Sequence, residues 1–283
     1  MLEKLAKQTA VYGISTIAVR FLSYLLTPVF TRVFEPEAYG IVTDVYALIP
    51  FALVVLTMGL ESAYFRFAAK ADAAAAAAGG TEGEIAARAR AGKRRLFATA
   101  WGVTLLAAEG RQQEKERGRE RVAEWMGEAY VAHPEYVLLV AAVVWFDVAA
   151  CLPFSRLREQ GRAMTFVGIK ALGVVVNVAL AIGFALAGLY GTPFGVGWVF
   201  VANLIASAVT FNVILLTTDR TVPRIDRRLL AAVLVYSLPL LVSGVAGTAN
   251  EFIDRQMIKY LLPPESSMDA LASTEPSRSW ASC

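Results

Sequence analysis

Arg20 lies near the middle of an apolar stretch that runs from about Gln8 to Phe30. A cation at mid-bilayer depth costs at least ~2.5–3.5 kcal/mol on insertion scales, so it persists where it faces a bundle interior or a wet cavity. Two chemistries follow. A guanidinium matches the fork of a phosphate, which would make Arg20 a site for an anionic substrate. Alternatively a buried carboxylate holds it, and Asp147 and Glu61 are the acids available. Asp147 is the acid deep in its own span, readable as a proton or cation site or simply as the counter-charge of Arg20. Lys170 and Asn177 are seven residues apart and share a helix face, whereas Asn203 and Asn212 point to opposite sides of theirs. Interhelical hydrogen bonds account for most such asparagines. Arg66 and Lys170 fall near expected helix ends, where snorkelling to the interface is the default. The cluster Asn250–Arg255, with Asp254 inside it, could line a path or end a helix.

Other chemistries lack their residues. Gly92-Lys93-Arg94 has neither the Ser/Thr nor the upstream glycine of a phosphate-binding loop. No HExxH, Cys/His metal set or Gly-x-Ser-x-Gly elbow occurs, and no paired acids stand on a loop to hold a metal–nucleotide complex. His133 precedes Pro134 without ligand-spaced partners and reads as a boundary residue. Cys151 and Cys283 define no disulfide framework. The chain reads as a non-enzyme without cofactor or metal, and a net charge of +3 spread over membrane edges argues against nucleic acid.

The elements that carry these residues are membrane-spanning. Of 283 residues, 57% are hydrophobic and 18% charged. About 20 apolar residues cross a bilayer as a helix, and backbone in lipid must satisfy its own hydrogen bonds. The expected fold is therefore all-α, a polytopic transmembrane bundle of about six to seven helices. Spans are expected over Gln8–Phe30, Ile41–Glu61 with a kink at Pro50, Pro134–Phe154, Met164–Leu189, Thr192–Thr217 and Leu229–Thr248. The first is read as a retained helix, not a cleaved leader. Leu96–Ala108 is short, yet all basic loops fall on one side, the cytoplasm, only if it crosses. Ala71–Gly80 reads as a loop and Glu109–Glu128 as a charged, solvated segment. The organisation expected is a six-helix lobe over 1–217, a basic loop with a seventh helix over 218–263, and a disordered tail over 264–283.

Several blocks carry a family likeness: Tyr12–Phe34 followed by Glu37–Asp44, then Glu61-Ser-Ala-Tyr-Phe-Arg-Phe67, Pro153–Arg162 leading into Phe166–Asn177, and Tyr236–Gly244 with Asp254–Leu262. In order and spacing they resemble bacterial polysaccharide-export flippases of the multidrug/oligosaccharidyl-lipid/polysaccharide (MOP) exporter superfamily. The resemblance implies two helical lobes around a central cavity in the bacterial inner membrane, with a cytoplasmic N-terminus. It implies export of lipid-diphosphate-linked oligosaccharide for polysaccharide or lipopolysaccharide biosynthesis. In such flippases cavity arginines hold the diphosphate; Arg20, Arg66 and Arg255 stand in matching blocks, and Arg32 sits nearer the outer boundary. Asp147, Lys170 and Asn177 remain coupling or structural candidates. The likeness stops near Leu262, which leaves one lobe and a seventh helix, as in a truncated product. Besides membrane lipids, the partners implied are a second copy or a C-terminal lobe subunit. The alternatives are a non-transporting scaffold in an envelope polysaccharide complex, an inactive half-transporter, or a drug or ion exporter.

Overall fold

A computed structural model describes residues 26–109, 124, 126, 128–219 and 221–261. Among them are nine α-helices and no strand: α1 (Thr27–Val33), α2 (Pro36–Thr57), α3 (Leu60–Ala77), α4 (Glu82–Glu109), α5 (Glu128–Ala132), α6 (Pro134–Glu159), α7 (Ala163–Leu186), α8 (Gly197–Thr217) and α9 (Arg227–Leu261). A 3₁₀ turn, Leu189–Gly191, lies between α7 and α8. Five stretches are long and apolar enough to cross a membrane: Pro36–Ala77, Pro134–Glu159, Ala163–Leu186, Gly197–Thr217 and Arg227–Ala249. The all-helical bundle is the fold the sequence predicts. Arg20 and residues 110–123, most of the charged segment, lie outside the described residues, as does the tail after Leu261.

Proline starts helices where its missing N–H costs nothing, at Pro36 of α2 and Pro134 of α6. Pro50 lies inside α2, which continues past it to Thr57. The chain turns instead at Met58 and Gly59, with φ of 49° and 67°. Two successive left-handed residues end an α-helix more completely than one lost hydrogen bond does. Gly59 is also where α9 crosses: a Cβ there would stand 2.9 Å from the Ser237 carbonyl oxygen and 3.2 Å from Leu240 Cβ.

The alanine run is not a loop. Residues 71–77 complete α3, and the turn comes at Gly79 and Gly80, with φ of 64° and 114°. Alanine has the highest helix propensity, and α4 lies close enough for Ala71 to pack where Gly92 leaves room. The Thr81-Glu-Gly-Glu84 sequence then starts α4 as a capping box. The Thr81 N–H donates to Glu84 Oε2 at 2.9 Å and the Glu84 N–H to Thr81 Oγ1 at 3.4 Å. Lys93 locks the α3–α4 hairpin to the bundle, donating to Asp72 (2.8 Å) and to Glu159 at the end of α6 (2.7 Å). Burial pulls the Lys93 pKa down, but the hydrogen bonds to the two carboxylates more than offset it and raise it.

The doubtful short span is thus the second half of a 28-residue helix. Leu96, Phe97 and Ala100 are buried against α3 and α6, and Trp101 Nε1 donates to the Ala149 carbonyl at 2.9 Å. From Lys93 beside Glu159 to Trp101 beside Ala149, α4 travels about 12 Å antiparallel to α6. It enters the bundle by packing on α6, not by hydrophobicity.

Central helix α6 packs against α2, α3, α4, α7 and α8. One end of the bundle is aromatic, where Phe34 meets Tyr190 and Tyr136 meets Phe194 and Phe200. His133 stacks on Tyr136 there at 4.8 Å, the boundary role expected of it. At the other end the loop 218–226 is strapped beneath α4 and α6. The Arg224 N–H donates to the Ala98 carbonyl (3.2 Å), Thr99 Oγ1 to the Arg224 carbonyl (3.1 Å), and buried Arg156 to Asp219 Oδ2 (3.0 Å). Arg95 pairs with Asp226, which also caps α9 by accepting the Arg228 and Leu229 N–H groups. The Leu229 N–H, with the Arg95 charge and the Arg228 N–H, holds the Asp226 carboxyl below the usual carboxylate range. Among the described residues, the basic stretches after α3, at the end of α6 and before α9 therefore meet at one end of the bundle.

Candidate functional site

Arg66 projects from the middle of α3, because the alanine run moves the end of that helix eleven residues further on. Its guanidinium lies 4.2 Å from the centre of the Tyr236 ring on α9. Lys70, one turn later on the same face, stands over Phe67 at 5.9 Å, and Phe67 meets Tyr236 edge-on. Arg66 is exposed and makes no ion pair among the described residues. A guanidinium resting on an aromatic face is oriented without being neutralised, so its donors stay available to an anion. The helix end expected beside Arg66 is not there; α3 continues to Ala77.

A polar cluster beside it is closed on itself. Glu61, at the start of α3, accepts from Arg158 Nη2 and from Ser155 Oγ, both at 2.8 Å. The Arg158 guanidinium also lies 5.1 Å from the Phe65 ring centre. The other acid suggested for Arg20, Asp147, lies against Ser207 of α8 and within electrostatic reach of Lys170 on α7. Lys170 stands 4.3 Å over the Phe154 ring. Both candidate counter-charges thus have partners other than Arg20.

The remaining residues do not converge on Arg66. Lys170 and Asn177 share a face of α7, an outer helix whose Val175 and Leu186 are exposed. Asn212 Nδ2 donates to the Ala208 carbonyl of its own helix (2.8 Å), not across helices as expected. Gly191 and Gly247 have open space where a Cβ would be, while Gly244 touches Val54. Arg255 lies on α9 nineteen residues after Tyr236, about 28 Å along a helix. Its side chain, like all of Arg20, lies outside what is described.

Comparison with known proteins fits this arrangement. The profile of the polysaccharide biosynthesis protein family matches residues 5–79, the region that carries Arg20 and Arg66. A solved multidrug resistance MATE family transporter of the MOP superfamily, in an inward-facing conformation, superimposes with a TM-score of 0.65 at 19% identity. The alignment covers 89% of this chain and 55% of that one. The chain has the fold of a MOP-superfamily transporter. It spans about half the length of the solved transporter it matches. No curated protein matches it. The MOP resemblance therefore rests on the whole helical arrangement as well as on sequence blocks. The polysaccharide family match covers residues 5–79.

Proposed function

We propose that this chain is one helical lobe of a transporter that moves lipid-diphosphate-linked oligosaccharide across a bacterial inner membrane, with its N-terminus and basic end in the cytoplasm. The observation that carries the reading is Arg66. It is a cation held on the Tyr236 ring without an ion pair among the described residues, inside the region matched to polysaccharide biosynthesis proteins. A fold shared with a transporter, and no constellation of catalytic groups in the sequence, favour transport over catalysis. The orientation follows from the arginines and lysines gathered at one end of the bundle.

The spacing along α9 suggests how the cations divide the work. A diphosphate, whose phosphorus atoms share one oxygen, cannot bridge the roughly 28 Å between the levels of Arg66 and Arg255. Arg66 would meet the headgroup at the cytoplasmic mouth, Arg20 at mid-depth and Arg255 near the far side, in succession. The lipid tail would stay in the bilayer. Alternating access needs two bundles, and this chain supplies one. The other would come from a second copy, a separate subunit or a continuation of the same chain. A proton or sodium gradient would drive the cycle. The contacts of Asp147 with Ser207 and Lys170 favour a structural role for it over a coupling role.

The test is complementation of a strain whose surface polysaccharide depends on this protein. Arg20→Ala, Arg66→Ala and Arg255→Ala should each lower surface glycan at least about tenfold, equivalent to ~1.4 kcal/mol of lost interaction, at unchanged membrane abundance. Unchanged glycan in all three variants would sink the site. Ethidium efflux without glycan movement would instead make the chain a drug exporter. Glycan loss in a deletion, with normal movement of the lipid-linked precursor, would make it a scaffold.

A further inference from the structure

Two recesses at the basic end meet at Thr221 and Val222 of the 218–226 strap. One, of about 790 Å³, is lined by Arg94, Arg95, Arg224 and Arg227, with Asp226 as its acid. Among the described residues Arg94, Arg224 and Arg227 make no ion pair, and Arg95 is the one joined to Asp226. The other, of about 400 Å³, is walled by Phe97, Trp101, Pro153, Leu215 and Leu216, together with Asn212 and Asp219. Asp219 is paired with Arg156 at 3.0 Å, so the acid on this wall is neutralised. Leu216, in the last turn of a spanning helix, is 83% exposed, and Val222 at the junction is 81% exposed. An unneutralised arginine cluster and an exposed apolar groove thus share a rim at the depth where a spanning helix ends.

We infer that this pair of recesses binds one anionic phospholipid, its phosphate on the arginines and an acyl chain along the Phe97–Leu216 groove. Both halves are needed for the assignment. A soluble phosphate would leave the groove unfilled, and a neutral lipid would leave three guanidinium groups uncompensated. Basic pockets at the cytoplasmic end of membrane helices recognise anionic headgroups by this combination. The site lies under α4 and the strap, neither Arg66 nor Tyr236 lines it, and it does not depend on the transport reading.

Lipid retention tests it. The full chain is purified in dodecyl maltoside, and bound phosphatidylglycerol and phosphatidylcholine of identical acyl composition are counted by native mass spectrometry, with glycerol 3-phosphate as the soluble probe. Phosphatidylglycerol should be retained at least tenfold over phosphatidylcholine, and glycerol 3-phosphate should not be retained. Arg94→Gln, Arg224→Gln and Arg227→Gln together should reduce phosphatidylglycerol to the phosphatidylcholine level. Asp226→Asn keeps a capping residue on α9 and removes the charge that competes for Arg95, so it should raise phosphatidylglycerol retention two- to threefold. This gain of binding reads the site even if the triple variant folds poorly. Equal retention of the two lipids by the wild type would overturn the assignment. So would undiminished phosphatidylglycerol on a folded triple variant, no gain with Asp226→Asn, or glycerol 3-phosphate bound as tightly as the lipid.

Discussion

Arg66 and Arg158 show how a guanidinium is committed or left available. Arg158 donates to Glu61 and lies near Phe65, while Arg66 rests on Tyr236 with no acid against it among the described residues. Glu61 belongs to the same short block as Arg66, yet its partners Arg158 and Ser155 come from a helix end more than ninety residues away. No spacing rule reaches across that distance, which is why Glu61 read from sequence as a partner for Arg20. Arg66 reads from sequence as a helix-end residue because the alanine run after it reads as a loop, whereas α3 continues to Ala77. The Thr81–Glu84 capping box is a start signal that could have extended the helices on either side. Glu61→Gln should destabilise the bundle by about 1 kcal/mol, because both partners of the Arg158–Glu61 pair are partly exposed and solvent discounts it. In detergent this is a fall in melting temperature of about 2–4 °C. An unchanged melting temperature would mean that Arg158 re-pairs without loss.

At the scale of elements, the α2–α3 turn and the strap are where the fold depends on single residues. Gly59 combines a left-handed backbone with a backbone oxygen 2.9 Å from any added Cβ. Gly59→Val should therefore cost about 2–4 kcal/mol, from left-handed strain and from separating α9 from the turn. Thermal unfolding compared with Gly79→Ala checks this, because Gly79 is also left-handed but has open space around it. The two variants should differ by the packing cost together with the extra left-handed strain of a β-branched residue. The strap predicts a pH dependence. The Asp226 carboxyl is held below its ordinary value, so its contribution is present above the unfolded pKa near 4 and lost as pH falls through the lower folded value. Hydrogen exchange at the Arg224 and Asp226 amides should accelerate below pH ~4 beyond the intrinsic rate, and Asp226→Asn should abolish that step. Equal acceleration in the variant would assign it to another group. The basic composition of this loop was legible; its position beneath α4 was not, since Thr99 and Arg224 meet only through tertiary packing.

For the whole molecule, hydropathy and charge alternation were enough to predict an all-helical membrane bundle with its basic loops together. They were not enough to predict α4, whose polar first half belongs to a hairpin and whose second half is carried by contacts with α6. The match with the solved transporter shows the fold, over about half of that transporter's length. On the proposed function, Arg66 belongs to one bundle and movement of a lipid-linked sugar requires a second bundle opposite it. The direct measurement is the sidedness of the lipid-diphosphate-linked oligosaccharide in cells producing the wild-type chain or Arg66→Ala. It is read with a membrane-impermeant glycan-cleaving enzyme added to intact spheroplasts. The account predicts substrate cleaved from the outer face with the wild type and protected, on the inner face, with Arg66→Ala. Equal cleavage in both would contradict it.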